Sequence, residues 1–189
     1  MAEQLSLADA RPTVFLDRDG VINRRRLDHV RSWGEFEFLP GTLVGLAALR
    51  LLGARVVVVT NQGAVGRGLL SVTRLEGIHD EMRRAVQATG GAIEAIYACL
   101  HHPDAGCGCR KPAIGLLLAA ARDLGIDLKR SIMVGDSISD VEAARAAGCL
   151  PVLVAGDSRA VEEPVLVVRD LLEVADLVRR LRPRAAAAC

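Results

Sequence analysis

Short, nearly continuous apolar runs separated by segments of helical period constrain this chain more than any other feature. TVFLD (13–17), ARVVVVTN (54–61), EAIYACL (94–100), SIMVGD (131–136) and LPVLVAG (150–156) read as strands, and VLVVR (165–169) as a candidate sixth. A strand with one face in water alternates apolar and polar residues, whereas a run that stays apolar is covered on both faces. The spacers carry helix start signals: Thr42 before LVGLAALRLLG, Ser71 before VTRLEGIHDEMRRAVQ and Asp170 before LLEVADLVRRLR. In the second spacer Val72, Leu75, Ile78, Met82 and Val86 recur at helical spacing. The architecture implied is α/β, a Rossmann-like parallel sheet with helices on both faces. Ligands of such sheets bind beyond the carboxyl ends of the strands.

A chain of 189 residues fits one domain, 1–189, with 1–10 and 183–189 expected to be poorly ordered. The formal charge of +1 supplies no basic excess for nucleic acid or an anionic membrane surface. MAEQLSLADA has neither the basic nor the apolar region of a secretion signal, and no run reaches membrane-spanning length. A cytoplasmic location is therefore expected, as is a monomer.

The polar residues fall where such a sheet binds ligands. Asp17 ends the first strand, Thr60 and Asn61 the second, and Asp136 a later one. In FLDRDGVIN the carboxylates of Asp17 and Asp19 stand two residues apart, so a cation, a retained proton or bulk water must relieve their repulsion. Of 24 basic residues only Lys111 and Lys129 are lysine. A lysine in RKP thus points to a need for a compact ammonium on a flexible stem.

Cys99, His101, Cys107 and Cys109 form a second constellation, C-x-H-x5-C-x-C. Thiolate and imidazole ligands grouped in this way suit tetrahedral Zn²⁺, and four protein ligands imply a structural site. The competing reading, a Cys107–Cys109 disulfide, suffers from the strain of a one-residue loop and from a reducing compartment. His102 is an adjacent candidate ligand, but the i, i+2 pattern favours His101. Cys149 and Cys189 are read as bystanders.

These residues resemble the haloacid dehalogenase (HAD) superfamily of phosphotransferases. Asp17-Arg18-Asp19-Gly20 matches its first motif, Thr60 its second, Lys111 its third and Gly135-Asp136-Ser137-Ile138-Ser139-Asp140 its fourth. The resemblance implies that Asp17 is a nucleophile forming an aspartyl-phosphate and that Asp19 is the general acid and then base. It further implies Mg²⁺ held by Asp17, the Asp19 backbone carbonyl and Asp136, with Thr60 and Lys111 stabilising the phosphoryl group. Asp140 is expected to orient Lys111 or a metal water rather than to bind metal. An acid at position 19 points to hydrolysis, and the lack of a long insertion after Asp19 or Thr60 to a minimal cap.

DRDGVIN, WGEFEFLPG (33–41), TNQ and the Cys/His loop before CRKP together are similar to the D-glycero-D-manno-heptose-1,7-bisphosphate 7-phosphatases. Histidinol-phosphate phosphatases share much of the pattern. The resemblance implies hydrolysis of the C7 phosphate of a sugar bisphosphate, giving heptose 1-phosphate for nucleotide-heptose biosynthesis. Arg110 would meet the distal phosphate, and Asn61, Gln62 and Ser137 are further expected substrate contacts. Trp33, Phe36 and Phe38 are expected to pack the flap rather than stack on substrate. The family commonly reads NQSGIARG where this chain has NQGAVGRG (61–68), and the linker from His101 to Cys107 is short. Arg24, Arg25 and Arg26 are either a solvated run or an attraction for a doubly phosphorylated substrate. Histidinol phosphate or another small phosphate is the alternative substrate, and a catalytically silent binding module on the same fold the alternative class.

Overall fold

A computed structural model of the chain describes residues 11–154 and 165–181. Six strands, β1 (Thr13–Leu16), β2 (Arg55–Asn61), β3 (Ala95–Cys99), β4 (Ser131–Gly135), β5 (Leu150–Val154) and β6 (Leu166–Val168), form one sheet. All five pairings are parallel and the spatial order is β3-β2-β1-β4-β5-β6. The helices are α1 (Thr42–Leu51), the single turn α2 (Gly63–Gly66), α3 (Val72–Ala88), α4 (Gly115–Leu124), α5 (Ile138–Ala147) and α6 (Leu171–Leu181).

Period-two alternation inside the apolar runs divides the core between the two faces. Val14, Leu16, Val56, Val58, Ile132 and Val134 turn to one side, where they meet Leu46 and Leu49 of α1 and Val174 and Val178 of α6. Phe15, Val57, Val59 and Met133 turn to the other, against Leu116 and Leu117 of α4 and Ala143 and Ala144 of α5. Each fully buried valine contributes roughly 1.5–3 kcal/mol relative to exposure, which is why both faces of β2 stay apolar.

Two local expectations need correction. Thr42 does not cap α1; Gly41, in a left-handed conformation with φ 78°, occupies that position and Thr42 is the first helical residue. Val72 is exposed at 44%, whereas Leu75, Ile78, Met82 and Val86 are buried. It begins the helix, a turn before α3 reaches the body of the protein. Ser71 does cap α3, accepting a hydrogen bond from the Arg74 backbone N–H at 3.2 Å. The Asp170 carboxylate accepts from the backbone N–H groups of Leu172 and Glu173 at the start of α6.

The sheet order reverses between β1 and β4, and that gap is where the polar strand ends gather. Among the described residues no large insertion covers it. Between β1 and α1 the chain makes a short flap in which Trp33 stacks on Phe36 at 4.9 Å and Phe36 meets Phe38 edge-on at 5.0 Å. All three rings pack on the core, as expected of a flap anchor. Residues 1–10, 155–164 and 182–189 lie outside the described residues, and with them the expected disorder of both ends, the last two residues of LPVLVAG, and Cys189.

Candidate active site

Asp17 follows β1 directly, and its backbone N–H donates to the Val134 carbonyl at 2.9 Å, which holds the ends of β1 and β4 together. Gly20 turns the chain with φ 92°, and a Cβ there would stand 1.9 Å from the Asp136 carboxylate. Only glycine lets the first loop and the end of β4 approach this closely. Ligand oxygens of Asp17, Asp136 and Asp140 consequently lie within 4.8 Å of one another. Burial, opposed by Lys111 and reinforced by Asp140 and Asp19, raises the Asp17 pKa. Burial likewise pushes Asp136 up to about 7, despite Arg25 at 3.0 Å. Such crowded acids invite a cation.

Lys111 comes from the loop after β3. Its ammonium donates to the Val59 carbonyl at 2.8 Å and pairs with Asp17 at 3.0 Å and Asp140 at 2.6 Å. Burial opposes its charge, but the two carboxylates outweigh that and raise its pKa. Asp140 meets Lys111, in line with the orienting role expected of it. Its other oxygen accepts from the hydroxyl of Ser137 at 2.6 Å and from the Ser137 N–H at 3.2 Å, closing a capping box at the start of α5.

Asp19 is gripped more tightly than its neighbours. Arg18 Nη2 donates to Oδ1 at 3.0 Å and Oδ2 at 2.9 Å, Asn23 Nδ2 to Oδ1 at 2.9 Å, and Gln62 Nε2 to Oδ2 at 2.9 Å. Burial disfavours the charge, yet Arg18, Asn23 and Gln62 together hold the carboxyl below its ordinary range. Arg18, Asn23 and His79 were not singled out from the sequence. Arg18 sat between two informative residues, and His79 lies 61 positions away on a helix, with no local signal.

A cleft of about 440 Å³ is lined by Asp17, Asp19, Thr60, Lys111 and Arg110, and by Asn61, Gln62 and Ser137. The expected contacts are thus gathered, although several are already engaged. The Asn61 carboxamide donates to the Lys111 carbonyl and accepts from the Lys111 N–H, both at 3.0 Å. Gln62 also donates to the Thr60 hydroxyl at 2.9 Å. Arg110 differs, because its Nη1 is buried with no acceptor among the described residues. Arg25 and Arg26 border the cleft, while Arg24 pairs outward with Glu37 at 2.9 Å.

The four Cys/His side chains converge beside this loop. Cys99 Sγ lies 3.6 Å from Cys107 Sγ and 3.6 Å from His101 Nδ1, and Cys109 Sγ lies 3.6 Å from Cys107 Sγ and 3.2 Å from His101 Nδ1. Tetrahedral zinc with bonds of about 2.0–2.3 Å places its ligand atoms about 3.5–3.8 Å apart. All three thiols are free, so these are not disulfide contacts. Burial opposes a thiolate at Cys107, but the Arg110 backbone N–H and the neighbouring thiols bring its pKa down to about 6. Burial and the Cys99 and Cys107 thiols push Cys109 up to about 12, so one thiolate is favoured at the expense of the next. His102 turns away and accepts from the Asp104 N–H at 3.3 Å. Gly66 of α2 seats against this loop, where a Cβ would come within 2.1 Å of the His102 backbone nitrogen. The family pattern NQSGIARG has alanine there, and the glycine admits a closer approach.

The family described as "HAD-hyrolase-like" matches residues 108–174. With the sheet, the carboxylate–lysine cluster and the phosphatase relatives that follow, that match makes the chain a HAD-like phosphoric monoester hydrolase. It is 42% identical over 170 residues to D-glycero-beta-D-manno-heptose-1,7-bisphosphate 7-phosphatase of Bordetella bronchiseptica, covering 86% of this chain and 95% of the relative. A Mycobacterium tuberculosis relative, 43% identical over 152 residues (77% of this chain, 80% of the relative), carries the alpha form of the name. The crystal structure of the B. bronchiseptica D,D-heptose 1,7-bisphosphate phosphatase, complexed with magnesium and phosphate, is similar with a TM-score of 0.84 and 40% identity, over 89% of this chain and 98% of that one. The chain belongs to the D-glycero-D-manno-heptose-1,7-bisphosphate 7-phosphatase family.

Proposed function

We propose that the chain hydrolyses the C7 phosphate of D-glycero-D-manno-heptose 1,7-bisphosphate, releasing heptose 1-phosphate toward nucleotide-heptose synthesis. The observation that carries the bisphosphate is Arg110, which lines the same cleft as Asp17 and Lys111 and whose buried Nη1 has no acceptor among the described residues. A buried unpaired guanidinium N–H is costly, and the phosphate that is not being cleaved would complete it as a two-oxygen partner. In this reading Asn61, Gln62 and Ser137 border the substrate mainly by fixing Lys111, Asp19 and Asp140.

An Asp17 carboxylate oxygen attacks phosphorus, and the bond to the C7 oxygen breaks as that oxygen takes a proton from Asp19. Asp19 must first take that proton up from solvent, because Arg18, Asn23 and Gln62 favour its ionised form. Water then attacks the aspartyl-phosphate, giving its proton to Asp19, and inorganic phosphate leaves with regeneration of Asp17. Lys111 and Thr60 stabilise the charge on the equatorial oxygens. Of the three crowded carboxyls Asp140 is taken by Lys111; Asp17 and Asp136, with the Asp19 carbonyl, would hold Mg²⁺, which when bound neutralises charge between enzyme and phosphate. Cys99, His101, Cys107 and Cys109 would hold structural Zn²⁺ and so fix the loop bearing Arg110 and Lys111.

Phosphate release should be measured with both anomers of the heptose bisphosphate, with other sugar bisphosphates and with histidinol phosphate. The proposal expects the heptose bisphosphate to have the highest kcat/KM, with phosphate lost from C7, and Asp17→Asn to be inactive but folded. Preference for histidinol phosphate would overturn the substrate, and activity of Asp17→Asn within tenfold of the unaltered enzyme the covalent mechanism.

A further inference from the structure

Arg18 stands between the proposed nucleophile and the proposed acid, and it is 1% exposed. Its guanidinium is stretched between two partners. Nη2 bridges both oxygens of Asp19, and Nη1 lies 3.2 Å from His79 Nε2 on α3. A guanidinium can only donate, so His79 Nε2 must be the acceptor. The imidazole is therefore neutral and carries its proton on Nδ1. Burial, followed by the nearby Arg18 and Arg83 charges, lowers the His79 pKa to about 3, in keeping with that assignment.

The consequence lies in how Asp19 is held. Each of its oxygens accepts two hydrogen bonds, one from Arg18 and one from either Asn23 or Gln62. These four bonds fix the carboxylate plane, and proton transfer to an ester oxygen depends on the acid's distance and approach. Asn23 also donates to the Arg24 carbonyl and Gln62 to Thr60, so both are anchored within the active-site edge. Arg18 alone ties Asp19 to α3, and it does so through His79. Arg18 Nε already has no partner among the described residues. Without an acceptor at position 79, Nη1 would be unsatisfied as well, two buried donors on one guanidinium, which favours its rotation. Asp19 would turn with it.

We propose that Arg18 and His79 are positioning residues for Asp19, His79 setting the orientation of the guanidinium that aims the carboxyl at the leaving oxygen. This rests on the reading of Asp19 as general acid. Arg18 borders the cleft but is almost wholly covered, and His79 stands behind it, so both act through Asp19. Both act on the step in which the departing oxygen needs a proton, and that confines their effect to poor leaving groups.

The test is single-turnover alcohol release from phosphate monoesters graded from p-nitrophenyl to simple alkyl, using the metal-loaded enzyme. His79→Leu removes the acceptor, and His79→Gln restores one through its side-chain carbonyl. His79→Leu should slow alkyl esters about 10–100-fold and the p-nitrophenyl ester less than about threefold, with His79→Gln within about threefold throughout. Arg18→Lys, which keeps the charge but cannot bridge both partners, should show the same selectivity and serves if His79→Leu does not fold. Equal slowing of all esters, or none, overturns the proposal. Asp19→Asn separates the two failures: if it too shows no dependence on the leaving group, the acid assignment has failed; if it does and the other variants do not, only the positioning role has.

Discussion

The Lys111 ammonium lies 2.6 Å from Asp140, and at 2% and 1% exposure these two side chains are almost sealed from water. An ion pair this enclosed stands only because each charge answers the other. Asp17 alone, at 3.0 Å, would then have to balance Lys111. Asp140→Asn should destabilise the protein by about 3 kcal/mol, as expected when one partner of a buried pair is removed. It should also lower kcat by at least about tenfold, because the ammonium can drift from the phosphoryl position. Urea unfolding beside steady-state kinetics checks both. A variant of unchanged stability would show that the pair is not an enclosed one in solution.

Arg110 should act on binding. Arg110→Ala is expected to lower kcat/KM for heptose bisphosphate by about ten- to a hundredfold, the equivalent of 1.5–3 kcal/mol for a charge-assisted hydrogen bond. A monophosphate lacking the second anion should suffer little. Arg110→Lys should recover only part of the loss, since an ammonium does not reproduce the planar fork. Equal losses on the two substrates would place Arg110 at the reacting phosphate instead.

The two metals should separate by role. Metal analysis of the purified protein is expected to give about one tightly held zinc per chain, as four protein ligands imply. Chelation of weakly bound ions followed by Mg²⁺ alone should restore turnover while zinc remains. Cys107→Ser should lose the zinc and show a lower Tm. Stable zinc-free protein with full activity and a Cys107–Cys109 disulfide would refute the site.

His79 gives a pH dependence of known sign. Its pKa falls from the usual 6.5 to about 3 on folding, so the unfolded chain takes up a proton that the folded chain refuses. Its contribution to stability is complete above the unfolded pKa and is lost as the pH falls from about 6.5 toward about 3. Between pH 7.5 and 5.5 the loss from this group should be about 1.4 kcal/mol. Urea unfolding of the unaltered protein and of His79→Gln at both values isolates it, because glutamine does not titrate. Equal pH dependence in the two proteins would mean that His79 is protonated in the fold.

Strands and the catalytic edge were legible because both are written locally. A run such as VVVV commits a segment to a doubly covered sheet, and a carboxylate at the end of such a run marks the edge where ligands sit. The C-x-H-x5-C-x-C spacing was legible for the same reason. What escaped was nonlocal or geometric. His79 reaches Arg18 only because α3 crosses beneath the first loop, and Gly66 matters only because the Cys/His loop lies against it. Gly41 displaced Thr42 as the cap of α1 because its left-handed backbone ends the flap, a conformation that the LPGT string allows but does not announce.

The Asn61 carboxamide pairs with both backbone groups of Lys111, much as an extra rung would extend the ladder past the end of β2. The lysine loop is thus moored twice, by the thiolate–imidazole cluster on one side and by an amide on the other, and the two moorings rely on unrelated chemistry. Oxidation or chelation can release the first, but neither reaches the second. Damage to the cysteines should therefore appear as a graded loss of function, with the ammonium still tethered near its station, rather than as an abrupt collapse.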